Sequence, residues 1–446
     1  MNLNRRHFTG LAAAALATPL LSACGGGGGG QSADDAKSGD TFTYWSMWTN
    51  GEDQQEVLAA AFAEFTKETG IKVDVQWSGR EVLNQVVPRL NAGNPPDLID
   101  QGSTDVKAQL GLDNVESLDD VYDLEIPDEG KKVADVIPES LMTTLKTSEG
   151  SRFMVPYEVI GGTLWYNARI TPEFTTPPSS WDDLMGVLDK LKSKGRTPIA
   201  LDGDIPDYCA YWLEWPVLRA AGGGSILKAV GDKTGAAFED KVWVEAAKAV
   251  SDLVKGGYFP KGFQGTKFPT QQASWADQTS KTDVVLMGSW LPSEATASLT
   301  KAKKDSTSIE FASFPFPSFG DDKGAGLVEA QPIGFAIPKN ARKAGAAKKF
   351  MAWFMNKERL SGIASQAKNL TPRTDIEAPA ALSSFFEEFK NAKSTVPFTD
   401  GIVSEEPKWV SDVWQPAVVQ LFGGKISPDA FCSQLKSKTA EYHKNK

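Results

Sequence analysis

The sequence predicts an α/β protein built as two lobes. The chain has 446 residues, and the roughly 400 that follow its N-terminal leader exceed one ordinary domain. Residues 41–77 show a strand–helix–strand pattern, which implies a right-handed crossover in a largely parallel sheet. A second strand–helix alternation starts near Trp181, which suggests a second α/β lobe.

The opening pattern places one candidate binding edge. Residues 41–46 are rich in β-formers, apolar residues then recur at helical spacing until Gly70, and residues 71–77 alternate apolar with polar. Ligands of such sheets bind beyond the carboxyl ends of the strands. The loop 45–52 therefore lies at a predicted binding edge, and Asn50 in this loop is suited to cap the following helix whether or not its neighbours contact ligand.

The next elements repeat this logic. Residues 80–91 have a helical apolar stripe, Pro95 and Pro96 interrupt the chain, and 97–100 reads as a strand. Residues 101–105 then follow a strand end at the same edge. Further strands are predicted at 153–156, 163–166 and 198–201, with a helix at 181–194.

The N-terminus has the order of an export signal. Arg5 and Arg6 precede an apolar stretch from Leu11 to Leu21 that is too short to span a bilayer. The ending Leu-Ser-Ala-Cys at 21–24 resembles a lipobox, and Arg5-Arg6 with Phe8 resembles a twin-arginine signal. We expect residues 1–23 to be removed and Cys24 to carry a lipid. The polar, glycine-rich residues 24–40 are predicted to be a flexible tether.

Charge and histidine content exclude several functions. The net charge is −10 without basic blocks, which argues against nucleic-acid binding. The two histidines are His7, in the predicted signal, and His443 near the end. A histidine-dependent nucleophile or multi-histidine zinc site is therefore not expected. Cys209 and Cys432 are the other cysteines, and the sequence leaves open whether they form a disulfide.

Tryptophan is abundant, with thirteen in the chain, several of them in predicted loops. Flat aromatic faces stack on the C–H faces of sugar rings while neighbouring carboxylates and amides bind the hydroxyls. Any single tryptophan is still more often part of a core.

Eight segments together resemble the bacterial family 1 extracellular solute-binding proteins, the receptors of carbohydrate ABC importers. Each segment is weak alone, but their order and spacing combined with a lipobox are specific. The segments are YWSMWTNGE at 44–52, PDLI at 96–99, VPYE at 155–158, LWYN at 164–167, SWDDL at 180–184, LMGSWLPSE at 286–294, GFAIP at 334–338 and FGGKISP at 422–428.

The resemblance implies a bilobed, periplasmic-binding-protein-like α/β fold of type II, with a hinge that closes on ligand. We place the first lobe at 41–156 plus 317–370 and the second at 157–316 plus 371–446, with crossovers near Tyr157, Pro317 and Leu370. The expected protein is a monomeric, lipid-anchored, extracytoplasmic receptor that needs no cofactor or metal. Its partners would be a mono- or oligosaccharide and the permease subunits of an ABC importer.

The same resemblance, carried over position by position, implies the ligand-binding residues. Aromatic members are expected to stack on sugar, and polar members to bind hydroxyls. The predicted set is Trp48, Glu52, Gln101, Asp105, Tyr157, Glu158, Tyr211, Trp212, Glu214, Trp215, Trp290, Trp409 and Trp414. Trp212 and Trp215 share one helix face, which could be buried packing instead.

Two alternatives stay open. An exported, acidic, tryptophan-rich protein could hydrolyse glycans with a pair of carboxylates, a reading that the order of motifs disfavours. A receptor of the same fold could instead bind another small solute. A polyamine, which suits acidic and aromatic walls, is the main such alternative.

Overall fold

Two mixed β-sheets form the centres of two lobes in the computed structural model, which describes residues 31–446. The first sheet has the order β2-β1-β3-β12-β6 and the second the order β10-β7-β9-β8. The predicted two-lobed α/β architecture is confirmed. The strands are β1 (Thr41–Ser46), β2 (Lys72–Trp77), β3 (Leu98–Gly102), β4 (Glu125–Ile126), β5 (Lys131–Lys132), β6 (Val155–Ile160), β7 (Gly162–Asn167), β8 (Ile199–Ala200), β9 (Val284–Gly288), β10 (Phe311–Phe314), β11 (Leu327–Glu329), β12 (Gln331–Ala336) and β13 (Ser394–Val396).

The first lobe contains the predicted strand–helix–strand unit. Strand β1 pairs in parallel with β2 on one side and β3 on the other. The connecting helix Asp53–Thr69 buries its apolar stripe and ends at Gly70, whose φ of 71° is the left-handed conformation that suits glycine. The larger helices of this lobe are Asp53–Thr69, Val82–Asn91, Ala344–Phe354 and Lys357–Ser365.

The second lobe packs its helices around the smaller sheet. Helix Trp181–Ser193 starts at a capping box, in which the Ser180 hydroxyl accepts a hydrogen bond from the Asp183 backbone N–H. Helix Pro206–Ala221 is buried over most of its length and packs against Lys241–Gly256. The larger helices here are Trp181–Ser193, Pro206–Ala221, Ser225–Gly231, Lys241–Gly256, Thr270–Ala276, Leu291–Lys301, Ser383–Lys390, Gln415–Phe422 and Pro428–Asn445.

The chain passes between the sheets at a glycine pair. Strand β6 ends at Ile160 and β7 begins at Gly162, so Gly161 is the only residue between the two sheets. A Cβ on Gly161 would lie 1.9 Å from the Glu329 carbonyl oxygen, and one on Gly162 would lie 2.4 Å from Glu329 Oε2. Glycine is therefore required where these backbones approach. The lobe boundaries at Tyr157, Pro317 and Leu370 stay predictions.

The packed body begins earlier than the sequence predicts. Ala33–Asp35 forms a short 3₁₀ helix that packs on helix Ala344–Phe354. The Ser32 N–H donates to Asp35 Oδ2 at 2.8 Å, and a Cβ on Gly345 would lie 2.2 Å from the Ser32 carbonyl oxygen. Residues 31–40, which the sequence assigns to the tether, thus include a segment that docks where Gly345 leaves room for its backbone, and the flexibility of the tether stays a prediction. The predicted signal, Cys24 and the glycine run lie outside the described residues.

Both cysteines of the described part are free thiols. They are buried in the second lobe, and burial raises the pKa of Cys209 and of Cys432 to about 12. The two cysteines therefore do not form a disulfide with each other in this structure, and both are protonated, unreactive thiols.

Among residues 31–446, no helix joins the length and the apolar character that crossing a membrane requires. The same residues contain no group of three or more His, Cys, Asp or Glu side chains arranged to hold a metal ion.

Candidate functional site

The edges at which the parallel strands of the two sheets end meet at the hinge. Because β12 is antiparallel to both β3 and β6, the carboxyl ends of β1, β3 and β6 lie at one edge, at Ser46, Gly102 and Ile160. In the second sheet, β8 and β9 run parallel and end at Ala200 and Gly288, beside the start of β7. Segments that follow these strand ends therefore line a cleft between the lobes.

A buried carboxylate organises the first-lobe wall of this cleft. Asp100 accepts hydrogen bonds from the Tyr157 hydroxyl at 2.6 Å, the Met47 N–H at 2.7 Å and the Ser46 hydroxyl at 3.3 Å. The Tyr157 hydroxyl in turn accepts from Trp48 Nε1 at 2.7 Å. Burial raises the pKa of Asp100, although these hydrogen bonds lower it. The network holds β1, β3 and β6 in one arrangement.

The predicted stacking face of Trp48 is covered. The ring is only 4% exposed, and the Arg80 guanidinium lies 4.3 Å above its centroid. Glu52 accepts from Arg80 at 2.6 Å. Partial burial raises the pKa of Glu52, but the hydrogen bonds from Arg80 and Thr49 and the charge of Arg80 together outweigh burial, and the net shift is downward. Gln101 is buried and donates to the Arg80 carbonyl oxygen at 3.0 Å.

Glu158 is also engaged with protein groups. Its carboxyl is 1% exposed and accepts hydrogen bonds from the side-chain amides of Gln54 at 3.3 Å and Asn369 at 3.0 Å. Burial raises the pKa of Glu158 to about 8. This residue therefore joins the helix Asp53–Thr69 to the end of β6.

Three residues converge at the end of β3. A Cβ on Gly102 would lie 2.8 Å from Gln331 Nε2 and 3.1 Å from Asp105 Oδ2, so both side chains approach this glycine. Gln331 Oε1 is buried and has no hydrogen-bond partner among residues 31–446. Burial raises the pKa of Asp105. The glycine leaves room for polar groups at the cleft edge.

Four aromatic side chains, which we call the aromatic group, lie on the second-lobe wall. In the order Tyr208, Tyr211, Phe398 and Trp290, they form a chain in which neighbouring ring centroids lie 6.2, 6.4 and 5.6 Å apart. Trp290 follows the end of β9 by two residues, and Tyr208 follows β8 at the start of its helix. Tyr208, Trp290 and Phe398 are partly exposed. This wall offers apolar faces next to the hinge.

Two buried carboxyl groups lie beneath this wall. Burial, followed by repulsion from Glu329, raises the pKa of Glu214 well above its ordinary value. Burial raises the pKa of Glu329 to about 8. Glu214 Oε1 and Glu329 Oε2 lack hydrogen-bond partners within the described part of the chain. Glu329 is therefore favoured in the neutral form at pH 7, and burial shifts Glu214 in the same direction.

Four of the predicted tryptophans lie inside the second-lobe core. Trp409 and Trp414 stack at 5.9 Å, and Trp409 donates to the Thr439 hydroxyl at 2.9 Å. Trp215 stacks on Phe316, and Trp212 contacts the same ring edge to face. All four are at most 3% exposed. Helix packing accounts for these rings.

The structure thus brings only part of the predicted set to open cleft surface. Asp105 and Trp290 are partly exposed there, whereas Gln101 and Tyr211 lie just beneath it. On the first-lobe wall, the side chains of Trp48, Glu52, Tyr157 and Glu158 are all hydrogen-bonded to other protein side chains. Sequence reasoning missed Arg80, Asp100, Tyr208, Gln331 and Phe398. The aromatic Tyr208, three residues before Tyr211, is the one that helical spacing could have identified.

Comparison with known families gives a match over most of the chain. The sequence model of the family described as bacterial extracellular solute-binding protein matches residues 48–359. The diacetylchitobiose-binding protein NgcE of Streptomyces coelicolor is 27% identical over 289 residues, which are 63% of this chain and 59% of NgcE. The chain thus spans about three fifths of the length of that relative.

Solved structures share the fold at lower identity. The bacterial solute receptor AcbH, described with an exclusive preference for β-D-galactopyranose, has a TM-score of 0.75 at 16% identity, covering 93% of this chain and 99% of AcbH. The GacH receptor of Streptomyces glaucescens, solved unliganded and with acarbose, has a TM-score of 0.66 at 17% identity, covering 91% and 99%. At this identity the similarity shows the bilobed fold alone.

Proposed function

The chain belongs to the family of bacterial extracellular solute-binding proteins, and on this basis we propose that it is the extracytoplasmic receptor of an ABC importer. It captures a mono- or oligosaccharide between its lobes and delivers it to the permease. It changes no covalent bond of its ligand. NgcE, a relative named for binding a disaccharide, supports the saccharide class.

One observation carries the saccharide assignment. The aromatic group lies on one wall of the cleft, and polar side chains of the first lobe, Gln101, Asp105 and Gln331, lie at the edge of the facing sheet. A pyranose ring presents an apolar C–H face and a rim of hydroxyls. Stacking on Trp290 with the hydroxyls directed to the first lobe satisfies both surfaces.

Binding is coupled to lobe closure through the hinge. The sheets are joined at Gly161 and, a second time, by the segment between β10 and β12. A ligand that touches both walls stabilises the closed arrangement by its differential affinity for that state. Gln101, Asp105, Tyr211 and Trp290 are the proposed contacts from the predicted set. Trp48, Glu52, Tyr157 and Glu158 are proposed to position the first-lobe wall.

A thermal-shift screen of the mature chain, beginning after Cys24, tests the function. The panel holds galactose, maltose and diacetylchitobiose, and calorimetry follows on every hit. A ligand at a hundred times its dissociation constant adds about 2.7 kcal/mol to stability. A saccharide that shifts unfolding and is recovered unchanged supports a receptor. A hit that is hydrolysed would instead support a glycosidase, and a panel without any shift would remove the saccharide assignment.

A polyamine is the second candidate, because buried carboxyl groups adjoin aromatic rings in this wall. Burial, followed by the nearby carboxyl groups of Glu329 and Glu214, raises the pKa of Tyr211 of the aromatic group. A polycation would stack on the aromatic faces and would favour the ionised form of these carboxyl groups on binding. Spermidine is therefore included in the screen at two salt concentrations. A response that weakens steeply with salt identifies the polycation, whereas saccharide binding is insensitive to salt.

Membrane attachment through Cys24 is part of the proposal. The lipobox-like sequence at 21–24 and the family membership support it. Mass spectrometry of the protein purified from a bacterial membrane fraction tests it. We expect a diacylglyceryl-modified Cys24 at the N-terminus, and release of a Cys24→Ser variant from the membrane. Attachment would hold the receptor at high effective concentration near its permease.

A further inference from the structure

A cavity of about 400 Å³ opens between the lobes beside the aromatic group. The segment that contributes Phe398 to the aromatic group also lines this cavity, with Val396, Pro397 and Asp400. None of the thirteen predicted site residues lines it. The cleft therefore has a second part with a chemistry of its own.

The lining of this second part joins apolar side chains such as Leu227 and Val396 to a set of polar ones, and no aromatic side chain from the described part of the chain lines it. The first lobe contributes Ser103, Thr104 and Lys107, which follow the carboxyl end of β3. The second lobe contributes Gly224, Ser404 and Glu405. Hydroxyl groups and exposed glycine backbone suit a ligand rich in hydrogen-bonding groups.

Two opposite charges face this cavity from opposite lobes. Lys107 lies in the π-helical segment Val106–Leu110, and Glu405 ends the helix Ile402–Glu405; the two segments are in contact. Burial lowers the pKa of Lys107, and attraction to Glu405 opposes that shift. Among residues 31–446, the two side chains do not form an ion pair within 4.0 Å.

The charge pair restricts what can lie between the two side chains. An ammonium group only donates hydrogen bonds, and a carboxylate only accepts them. A group that satisfies both must accept from Lys107 and donate to Glu405. A hydroxyl does this, whereas a simple anion is repelled by Glu405 and a simple cation by Lys107.

We propose that this cavity is a second saccharide subsite, in which Lys107 and Glu405 bind the hydroxyls of one ring while the adjoining ring lies on the aromatic group. The inference rests on the proposed function and narrows it to saccharides of two or more rings. Because the two side chains come from different lobes, occupancy of this subsite also favours closure.

Calorimetry on Lys107→Met and Glu405→Gln tests the subsite. Diacetylchitobiose and maltose are each compared with their constituent monosaccharide, and Lys67→Met, on an exposed face of helix Asp53–Thr69, controls for the loss of one positive charge. The parent protein is expected to bind one of the disaccharides at least tenfold more tightly than its monosaccharide. Each cavity variant should lose about tenfold in affinity for that disaccharide and leave monosaccharide affinity unchanged.

Other outcomes overturn the subsite in distinguishable ways. Equal weakening of monosaccharide and disaccharide would mean that the two side chains pair directly on closure. Unchanged affinities, or a parent protein that binds monosaccharides at least as tightly as disaccharides, would leave the receptor function standing without this subsite. A parent protein that binds no saccharide would remove both proposals. Thermal unfolding of each variant without ligand verifies that it is folded.

Discussion

The two walls of the cleft hold their aromatic rings in different ways. On the first-lobe wall, Trp48, Tyr157 and Asp100 are hydrogen-bonded to one another. On the second-lobe wall, Tyr208 and Trp290 are partly exposed and contact neighbouring rings. A hydrogen-bonded network fixes a surface in advance, whereas partly exposed rings become buried when a ligand covers them.

This contrast separates two tryptophans that occupy similar positions in the sequence. Trp48 and Trp290 both follow a strand end, and both were predicted to stack on ligand. Trp48 donates to Tyr157 and is covered by Arg80, so its ring stabilises the fold. Trp290 has protein contact with Phe398 at 5.6 Å and retains exposed surface. We therefore expect substitution of Trp48 to lower mainly the stability of the fold and substitution of Trp290 to lower mainly the affinity for ligand.

The largest effect is expected from Trp48→Ala. Loss of a buried tryptophan should lower the free energy of unfolding by about 3 to 4 kcal/mol, measured by urea denaturation. Trp290→Ala, the matched variant, should cost about 1 kcal/mol or less in stability and weaken saccharide binding by about 30-fold or more. Similar losses of stability in both variants would remove the distinction between the walls.

The next effect is expected from Asp100→Ala. The substitution leaves the Tyr157 hydroxyl and the Met47 N–H without their acceptor in a buried site. We expect the free energy of unfolding to fall by about 3 kcal/mol. Asp74→Ala, at an exposed position of β2, is the control and should change stability by about 0.5 kcal/mol or less. An Asp100 variant as stable as this control would show that the network does not hold the wall.

The buried carboxyl of Glu329 at the hinge should make stability depend on pH. The pKa of Glu329 is about 8 in the fold against 4.5 ordinarily. Between these values the unfolded chain loses the proton and the folded chain retains it, so unfolding free energy falls as pH rises. Glu329→Gln should reduce this slope by about 1 kcal/mol per pH unit. Glu64→Gln, on an exposed helix face, should leave the slope of stability against pH unchanged. An unaltered slope in the Glu329 variant would contradict the protonation of Glu329 in the folded protein.

The elements of both lobes could be predicted because their signals are local. The apolar stripe of helix Asp53–Thr69 and the alternation in β2 depend on residues a few positions apart. The same local pattern does not tell a buried ring from an exposed one, which is why Trp409 and Trp414 joined the predicted site. Asp100 and Phe398 were missed because Tyr157 lies 57 positions from Asp100 and Trp290 lies 108 positions from Phe398 in the chain.

The smallest effect is expected from Glu52→Gln, which tests whether Glu52 on the first-lobe wall binds ligand or only positions Arg80. Glu52 was predicted to bind ligand, and its carboxylate is bonded to Arg80, which covers Trp48. Because the two side chains are 31% and 51% exposed, Glu52→Gln should lower stability by less than about 1 kcal/mol, with the difference shrinking at high salt. Calorimetry should find saccharide affinity within about threefold of the parent if Glu52 only positions Arg80. A much larger loss of affinity, with stability unchanged, would assign Glu52 to the ligand and extend the open surface of the cleft to both walls.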